Sequence, residues 1–171
     1  MATKKKQLFS TSKSSGGNLL PWLGVAAIVI LIDQLTKITM SKLFLFRESK
    51  TITWFFDLLL TYNRGAAWGL FDNQPGWQRY FFTIIAVVAV SAILFMLKKH
   101  SGQRLFCWSL SLIMGGAIGN AIDRVAYGHV IDFLHFHYET HSFPVFNVAD
   151  IAISLGAMLF IYDELRRVNR N

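Results

Sequence analysis

The chain has 171 residues, of which 53% are hydrophobic and 16% charged, and its mean hydropathy is positive. A soluble domain of this size is much less apolar, so the composition excludes a soluble protein and indicates a single integral membrane domain over residues 1–171. The net charge of +7 is explained by the positions of Lys and Arg around apolar segments, without a nucleic-acid partner.

The N-terminal region combines a basic tail with an apolar run. Residues 1–18 are rich in Lys, Ser and Gly, which predicts a disordered cytoplasmic tail. The run over about 19–41 lacks a small-x-small cleavage site, so we interpret it as a first membrane-spanning helix and not as a cleaved signal peptide. Asp33 and Lys37 lie four residues apart near its end, a spacing that favours an ion pair over catalysis.

The segment after this helix, residues 42–76, is too interrupted to span a membrane and is rich in aromatic residues. Its β-favouring stretches predict a small extracytoplasmic sheet, an aromatic cap that lies at the membrane interface. Within it, Asn63, Gly65 and Trp68 place an amide, a backbone that can be approached closely, and an indole near each other. A cap that only packs over the helices is the alternative interpretation.

Three more apolar segments complete a predicted bundle of four transmembrane helices, with spans at about 78–97, 104–123 and 147–164. Glycines in the third span are typical of close helix packing. Most Lys and Arg residues lie before the first span, between the second and third, and after the fourth. The positive-inside rule therefore predicts both termini in the cytoplasm and the loops 42–76 and 123–146 outside.

Two Asn-x-x-Asp segments stand at the margins of apolar runs: Asn120 to Asp123, and Asn147 to Asp150. Asn147 and Asp150 also fit a capping box at the start of the fourth span, which is a purely structural role. Asp123 lies at the C-terminal end of a span, where the helix dipole disfavours an anion. Both segments map to the outer membrane face, so the two aspartates can meet there as an acid/base pair.

The histidines of the second outer loop raise the possibility of a metal site. His135 and His137 have the spacing of a strand-borne ligand pair, but no further strong ligand motif accompanies them. Interfacial histidines are usually polar neighbours, so we expect no metal. Residues 130–138 have an alternating pattern that predicts a second strand or a lid.

Five motifs in this order closely resemble the bacterial lipoprotein signal peptidase (signal peptidase II) family, over nearly the whole chain beyond the tail. They are Asp33-Gln-Leu-Thr-Lys37, Asn63-x-Gly-Ala-Ala-Trp68, Gly115-Gly-Ala-Ile-Gly-Asn120-Ala-Ile-Asp123-Arg124, Gly128-His-Val-Ile-Asp132-Phe133 and Phe146-Asn147-Val-Ala-Asp150.

The resemblance implies an aspartic endopeptidase of the bacterial inner membrane that cuts diacylglyceryl-modified prolipoproteins just before the lipidated cysteine, with its site near the outer face. By motif, Asp123 and Asp150 would be the catalytic pair. It implies no cofactor or metal, membrane lipids and lipid-modified prolipoproteins as partners, and we expect a monomer. The residues expected to bind substrate or support the site are Asn120, Arg124, Asn147, Asn63, Gly65, Asp33, Lys37, Asp132 and Trp68.

Two other functions compete with this one. A small proton- or ion-coupled transporter also uses buried Asp and Asn, but its site usually lies at the membrane midplane between repeats. Here both Asp-bearing motifs map to one membrane edge. A structural assembly protein would leave the Asn-x-x-Asp segments without a role.

Overall fold

The computed structural model describes residues 18–65 and 75–169. Residues 1–17 of the predicted disordered tail and Trp68 therefore lie outside the described residues. In chain order the elements are α1 (Leu20–Leu43), β1 (Ser49–Thr53), β2 (Phe56–Asn63), α2 (Trp77–His100), α3 (Arg104–Tyr127), β3 (Val130–Tyr138), β4 (His141–Ser142) and α4 (Val148–Val168).

Three of the described helices, α1, α2 and α3, are long and apolar enough to cross a membrane. α4 carries Asp150 and then Asp163 and Glu164, and it is not among these three. The predicted fold is therefore confirmed as a mostly helical membrane protein with a small sheet, whereas the fourth span stays a prediction. α3 also extends beyond the predicted end at 123, so that Asp123 lies about one turn inside the helix.

α3 is the central helix and packs against α1, α2 and α4. Glycines allow α3 and α4 to pack closely. A Cβ on Gly116 would clash with the carbonyl oxygen of Ala149, and one on Gly156 would lie 2.7 Å from that of Ser109. The glycines of the third span therefore serve helix packing, as the sequence indicated. α2 is mostly exposed, as expected for a helix that faces lipid.

The cap is a four-stranded antiparallel sheet in the order β1-β2-β3-β4. Its inner side packs on the end of α1, where Met40 joins a buried cluster with Leu60, Ile131 and Phe133. Its rim is aromatic: the Trp54 ring, 71% exposed, lies 5.7 Å from the Tyr138 ring. The predicted strand over 130–138 is confirmed as β3, which passes directly over the site described next.

Candidate active site

Lys37 is at the centre of a buried ionic group that joins α1 to α3. Its Nζ lies 2.8 Å from Asp33 Oδ2 and 2.8 Å from Asp123 Oδ2, and it donates a hydrogen bond of 2.9 Å to Asn120 Oδ1. All three charged side chains are at most 1% exposed. We call Asp33, Lys37 and Asp123 the Lys37 cluster. The predicted ion pair between Asp33 and Lys37 is confirmed.

Both carboxylate oxygens of Asp123 have partners inside the protein. Its Oδ1 accepts a hydrogen bond of 2.9 Å from the Gln34 side chain, and its Oδ2 accepts one of 3.1 Å from the backbone N–H of Ile131 in addition to the Lys37 contact. The Lys37 charge offsets the unfavourable helix dipole at this end of α3. Asp123 is 0% exposed.

Asp150 lies in the first turn of α4 and forms the predicted capping box. Its backbone N–H donates to Asn147 Oδ1 over 3.0 Å, and its Oδ2 accepts from the backbone N–H of Asn147 over 3.1 Å. Asp150 is half-buried and lines a cavity, and its Oδ1 accepts a hydrogen bond of 2.9 Å from Asn120 Nδ2. One residue therefore caps α4 and also presents its carboxylate to the cavity.

Asp132 on β3 is the second carboxylate at this cavity. Asn147 Nδ2 donates to its Oδ1 over 2.6 Å and Asn63 Nδ2 donates to its Oδ2 over 3.2 Å. Burial, followed by the nearby charge of Asp150, raises the pKa of Asp132 to about 7. A carboxyl group in this environment holds its proton near neutral pH.

Two asparagines connect the two carboxylates. Asn147 donates from its side chain to Asp132 and from its backbone to Asp150, and it also donates to Asn120 Oδ1 over 3.1 Å. The two Asn-x-x-Asp segments therefore meet, as their predicted positions at one membrane face require. Their aspartates have different surroundings, however, because Asp123 is paired with Lys37 and Asp150 is not among the Lys37 contacts.

The cavity has a volume of about 1030 Å³ and two kinds of wall. The polar wall is formed by Asn63, Asn120, Arg124, Asp132 and Asp150. The apolar wall includes Phe143, Val145, Phe146, Ile151, Leu155 and Met158. Asp33, Lys37, Asp123, Asn147 and Gly65 are not part of the lining and stand behind it.

Arg124 at the cavity edge contacts the segment after β2, its own helix α3, and α2. Its guanidinium donates to the carbonyl oxygens of Gly65 over 3.1 Å and Asn120 over 3.4 Å, and it lies 5.0 Å from the centroid of the Phe82 ring on α2. Gly65 in turn donates its N–H to Asn63 Oδ1 over 3.0 Å. Asn63 therefore lines the cavity, and Gly65 contacts both Asn63 and Arg124 beside it.

The histidine pair lies in the sheet and faces another carboxylate. His137 Nε2 is 3.2 Å and His135 Nδ1 3.6 Å from Asp57 Oδ2. Within residues 18–65 and 75–169, no group of three or more His, Cys, Asp or Glu side chains is arranged to hold a metal ion. Sequence reasoning counted Asp132 only among the supporting residues. A charge within the apolar run Val130-Ile-Asp-Phe133 was the signal that could have placed it higher.

Comparison with known proteins extends these observations. The family model of signal peptidase (SPase) II matches residues 25–166. The lipoprotein signal peptidase of Janthinobacterium sp. (strain Marseille) is 58% identical, with 96% of this chain and 98% of that protein covered. The lipoprotein signal peptidase of Ralstonia nicotianae is 55% identical, with 99% of this chain and all of that protein covered.

Two solved structures share the fold, and both are described as bacterial membrane enzymes. The one at 2.3 Å resolution has a TM-score of 0.82 and 28% identity, covering 91% of this chain and 94% of its own. The one at 1.9 Å has a TM-score of 0.76 and 29% identity, covering 88% and 96%. None of these comparisons supports the transporter alternative. Because the family model matches residues 25–166 and these relatives match nearly the full chain, the chain belongs to the signal peptidase II family.

Proposed function

We propose that this chain is an aspartic endopeptidase that removes the signal peptide from diacylglyceryl-modified prolipoproteins by cutting just before the lipidated cysteine. One observation carries the proposed chemistry. Asp132 and Asp150 line the same cavity and are joined through hydrogen bonds to Asn147. Two carboxyl groups in such proximity do not both ionise easily, and a pair that shares one proton can activate water.

The surroundings of the two groups suggest their roles. Asp150 lies at the N-terminal end of α4, where the helix dipole and hydrogen bonds from Asn120 and Asn147 favour the carboxylate. Asp150 would take a proton from water while the oxygen attacks the peptide carbonyl carbon. Asp132 holds its proton near neutral pH and would donate it to the carbonyl oxygen. As the C–N bond breaks, Asp150 gives its proton to the leaving amine and one hydroxyl proton of the gem-diol returns to Asp132, which restores both groups. These steps need no metal or cofactor.

This assignment replaces the pair predicted from sequence, Asp123 with Asp150. The Asp123 carboxylate is 0% exposed, is ion-paired with Lys37 and does not line the cavity. To reach a substrate it would have to leave a buried cation unpaired, which is strongly unfavourable. Asp132 lines the cavity and accepts hydrogen bonds from Asn147 and Asn63, so we assign it the role that the motif comparison gave to Asp123.

Arg124 is well placed to hold the substrate backbone. It lines the cavity, and among the described residues its Nε has no hydrogen-bond acceptor although the atom is buried. A buried N–H without an acceptor is costly, and a peptide carbonyl bound in the cavity would satisfy it. Asn63 and Asn120 offer further polar contacts on the same wall.

An apolar stripe on α4 supports a lipid-bearing substrate. Ile151, Leu155 and Met158 continue the cavity wall away from Asp150 and are 45%, 43% and 60% exposed. Their spacing places them on one helix face. Each methylene of an acyl chain buried there contributes about 0.8 kcal/mol of binding, so a lipid anchor would hold the peptide bond against the carboxyl pair.

We place the site at the outer face of the bacterial inner membrane. The 21 residues of α4 are about 32 Å long, which is enough to span a bilayer. Asp150 opens onto the cavity at one end of α4, and Asp163 and Glu164 pair with Arg167 near the other. With α4 as a fourth span, the basic termini lie in the cytoplasm and the cap lies outside. We expect the enzyme to act as a monomer.

The test is an assay of purified protein in detergent with a lipidated precursor peptide and the same peptide without lipid. We expect cleavage before the lipidated cysteine. The unlipidated peptide should be cleaved at least about 100-fold less efficiently, since four buried methylenes already contribute about 3 kcal/mol. Asp150→Asn should be inactive yet folded. Cleavage at similar rates for both peptides, or an active Asp150→Asn enzyme, would contradict the proposal.

A further inference from the structure

The Lys37 cluster contacts the backbone beside both cavity aspartates. Asp33 Oδ1 accepts a hydrogen bond of 2.9 Å from the N–H of Ala149, the residue directly before Asp150. Asp123 Oδ2 accepts one of 3.1 Å from the N–H of Ile131, the residue directly before Asp132. Each buried carboxylate therefore holds the chain one residue away from one cavity carboxylate.

One of these contacts satisfies a backbone group that lacks a partner within its own helix. The N–H of Ala149 belongs to the first turn of α4, where no helical carbonyl is available, and Asp33 supplies an acceptor from α1. Lys37 Nζ lies 2.8 Å from both carboxylates and so holds them at a set separation. Through this arrangement the first helix and the third both contact the backbone that directly precedes Asp132 and Asp150.

The packing of α3 leaves little freedom around this arrangement. A Cβ on Gly119 would lie 2.5 Å from Asp33 Oδ2, so any side chain there would displace the Asp33 carboxylate. Gly119 also accepts a hydrogen bond at its carbonyl oxygen from Gln34, which donates to Asp123 as well. The Lys37 cluster therefore requires a glycine at position 119 of the neighbouring helix.

We propose that Asp33, Lys37 and Asp123 are positioning residues that set the distance between Asp132 and Asp150 through the backbone of Ile131 and Ala149. This inference rests on the proposed function, because it takes Asp132 and Asp150 as the reacting pair. The cluster itself touches neither substrate nor water in the reaction. Its effect on turnover is exerted through geometry and through its charge.

The charge of the Lys37 cluster should affect the pH profile of kcat. A cluster that only packs the helices together would not change that profile. The charged groups that face Asp132 are Asp150 on α4, Arg124 on α3 and Lys37 on α1. With Lys37 protonated and both carboxylates ionised, the cluster carries a net charge of −1. Asp33→Asn or Asp123→Asn makes it neutral, which leaves the Lys37 charge less compensated and favours ionisation of Asp132.

The experiment measures kcat, KM and the pH profile of kcat for Asp33→Asn and Asp123→Asn. Both variants keep a side-chain oxygen that can accept the backbone hydrogen bond. We expect kcat to fall by about 10- to 100-fold, as when reacting groups are misplaced by less than 1 Å. KM should change little, and the alkaline limb of the profile should move to lower pH. Asp163→Asn is the matched control, since it removes the same charge at the far end of α4.

Gly119→Ala provides a second test that alters no charge. It displaces Asp33 sterically, so kcat should fall while the pH profile keeps its position. Gly24→Ala is its control, because a Cβ on Gly24 meets nothing within 4 Å. Thermal unfolding in detergent identifies the variants that fold.

Two outcomes would overturn the inference. If Asp33→Asn, Asp123→Asn and Gly119→Ala all fold and keep the wild-type kcat and pH profile, the cluster does not position the pair. If Asp123→Asn folds and loses all turnover, Asp123 reacts directly. Failure of the proposed function is distinguished by Asp150→Asn, which would then retain turnover whatever the cluster variants do.

Discussion

The two carboxylate pairs of this protein differ in their direct contact with a cation and in their access to a cavity. Asp33 and Asp123 share Lys37, and each also holds a backbone N–H. Asp132 and Asp150 accept hydrogen bonds from asparagines and line a cavity, with the Arg124 charge nearby. A cation in direct contact favours the ionised carboxylate, whereas burial without such contact favours a carboxyl group that keeps its proton, as at Asp132.

The largest expected effect comes from removing Lys37, the cation that contacts Asp33 and Asp123. Lys37→Met leaves Asp33 and Asp123 buried without a counter-ion, so we expect a loss of about 3–5 kcal/mol in the free energy of unfolding. Thermal or denaturant unfolding in one detergent measures this loss. Lys98→Met is the control, since Lys98 is exposed near the end of α2. A Lys37→Met protein as stable as wild type would remove the distinction between the two pairs.

The pH dependence of activity tests the role of Asp132 in the proposed pair with Asp150. The folded-state pKa of Asp132 is raised from 3.8 to about 7, so Asp132 is protonated below pH 7 and ionises above it. We expect kcat/KM to fall about tenfold for each pH unit above that value, and thus about 100-fold over two units. By the same linkage, the stability contributed by protonated Asp132 is complete below pH 3.8 and is lost as pH rises through 7. A flat rate between pH 6 and pH 9 would argue against Asp132 as the acid.

A smaller effect is expected from the support of Asp132. In the wild type, the 3.2 Å hydrogen bond from Asn63 to Asp132 Oδ2 lowers the pKa of that carboxyl group. Asn63→Ala removes the bond, so the pKa of Asp132 should rise. Such a bond contributes about 1 kcal/mol, equivalent to about a fivefold loss in kcat/KM. The alkaline limb should move to higher pH, opposite to the shift expected for Asp123→Asn. A shift in the same direction for both variants would contradict the electrostatic account.

The sequence contained much of the fold and most of the site. Helical spacing predicted the Asp33 and Lys37 ion pair, alternating residues predicted β3, and the ordered motifs identified the family. What spacing could not show is which partner neutralises each aspartate. Asp123 lies near the C-terminal end of α3, and Asp132 follows nine residues later on β3. Only the packing of α1 against α3 brings Lys37 into contact with Asp123.

The boundary of α3 contributed to the same difficulty. From the sequence, the third span ends at about residue 123, which places Asp123 at its C-terminal end and at the outer membrane face. The helix continues to Tyr127 and ends at Gly128, whose φ of 79° suits a left-handed C-cap. Asp123 is therefore one turn inside, and Asp132 on the following strand takes the position at the cavity.

The most direct test of the account compares turnover of Asp132→Asn and Asp123→Asn on the lipidated precursor, at matched folding in one detergent. We predict that Asp132→Asn loses at least about 1,000-fold in kcat, within the range expected for removal of a general acid, while Asp123→Asn retains 1–10% of wild-type turnover, in line with its positioning role. The reverse order, with Asp132→Asn active and Asp123→Asn inactive, would contradict the account and restore Asp123 as the partner of Asp150.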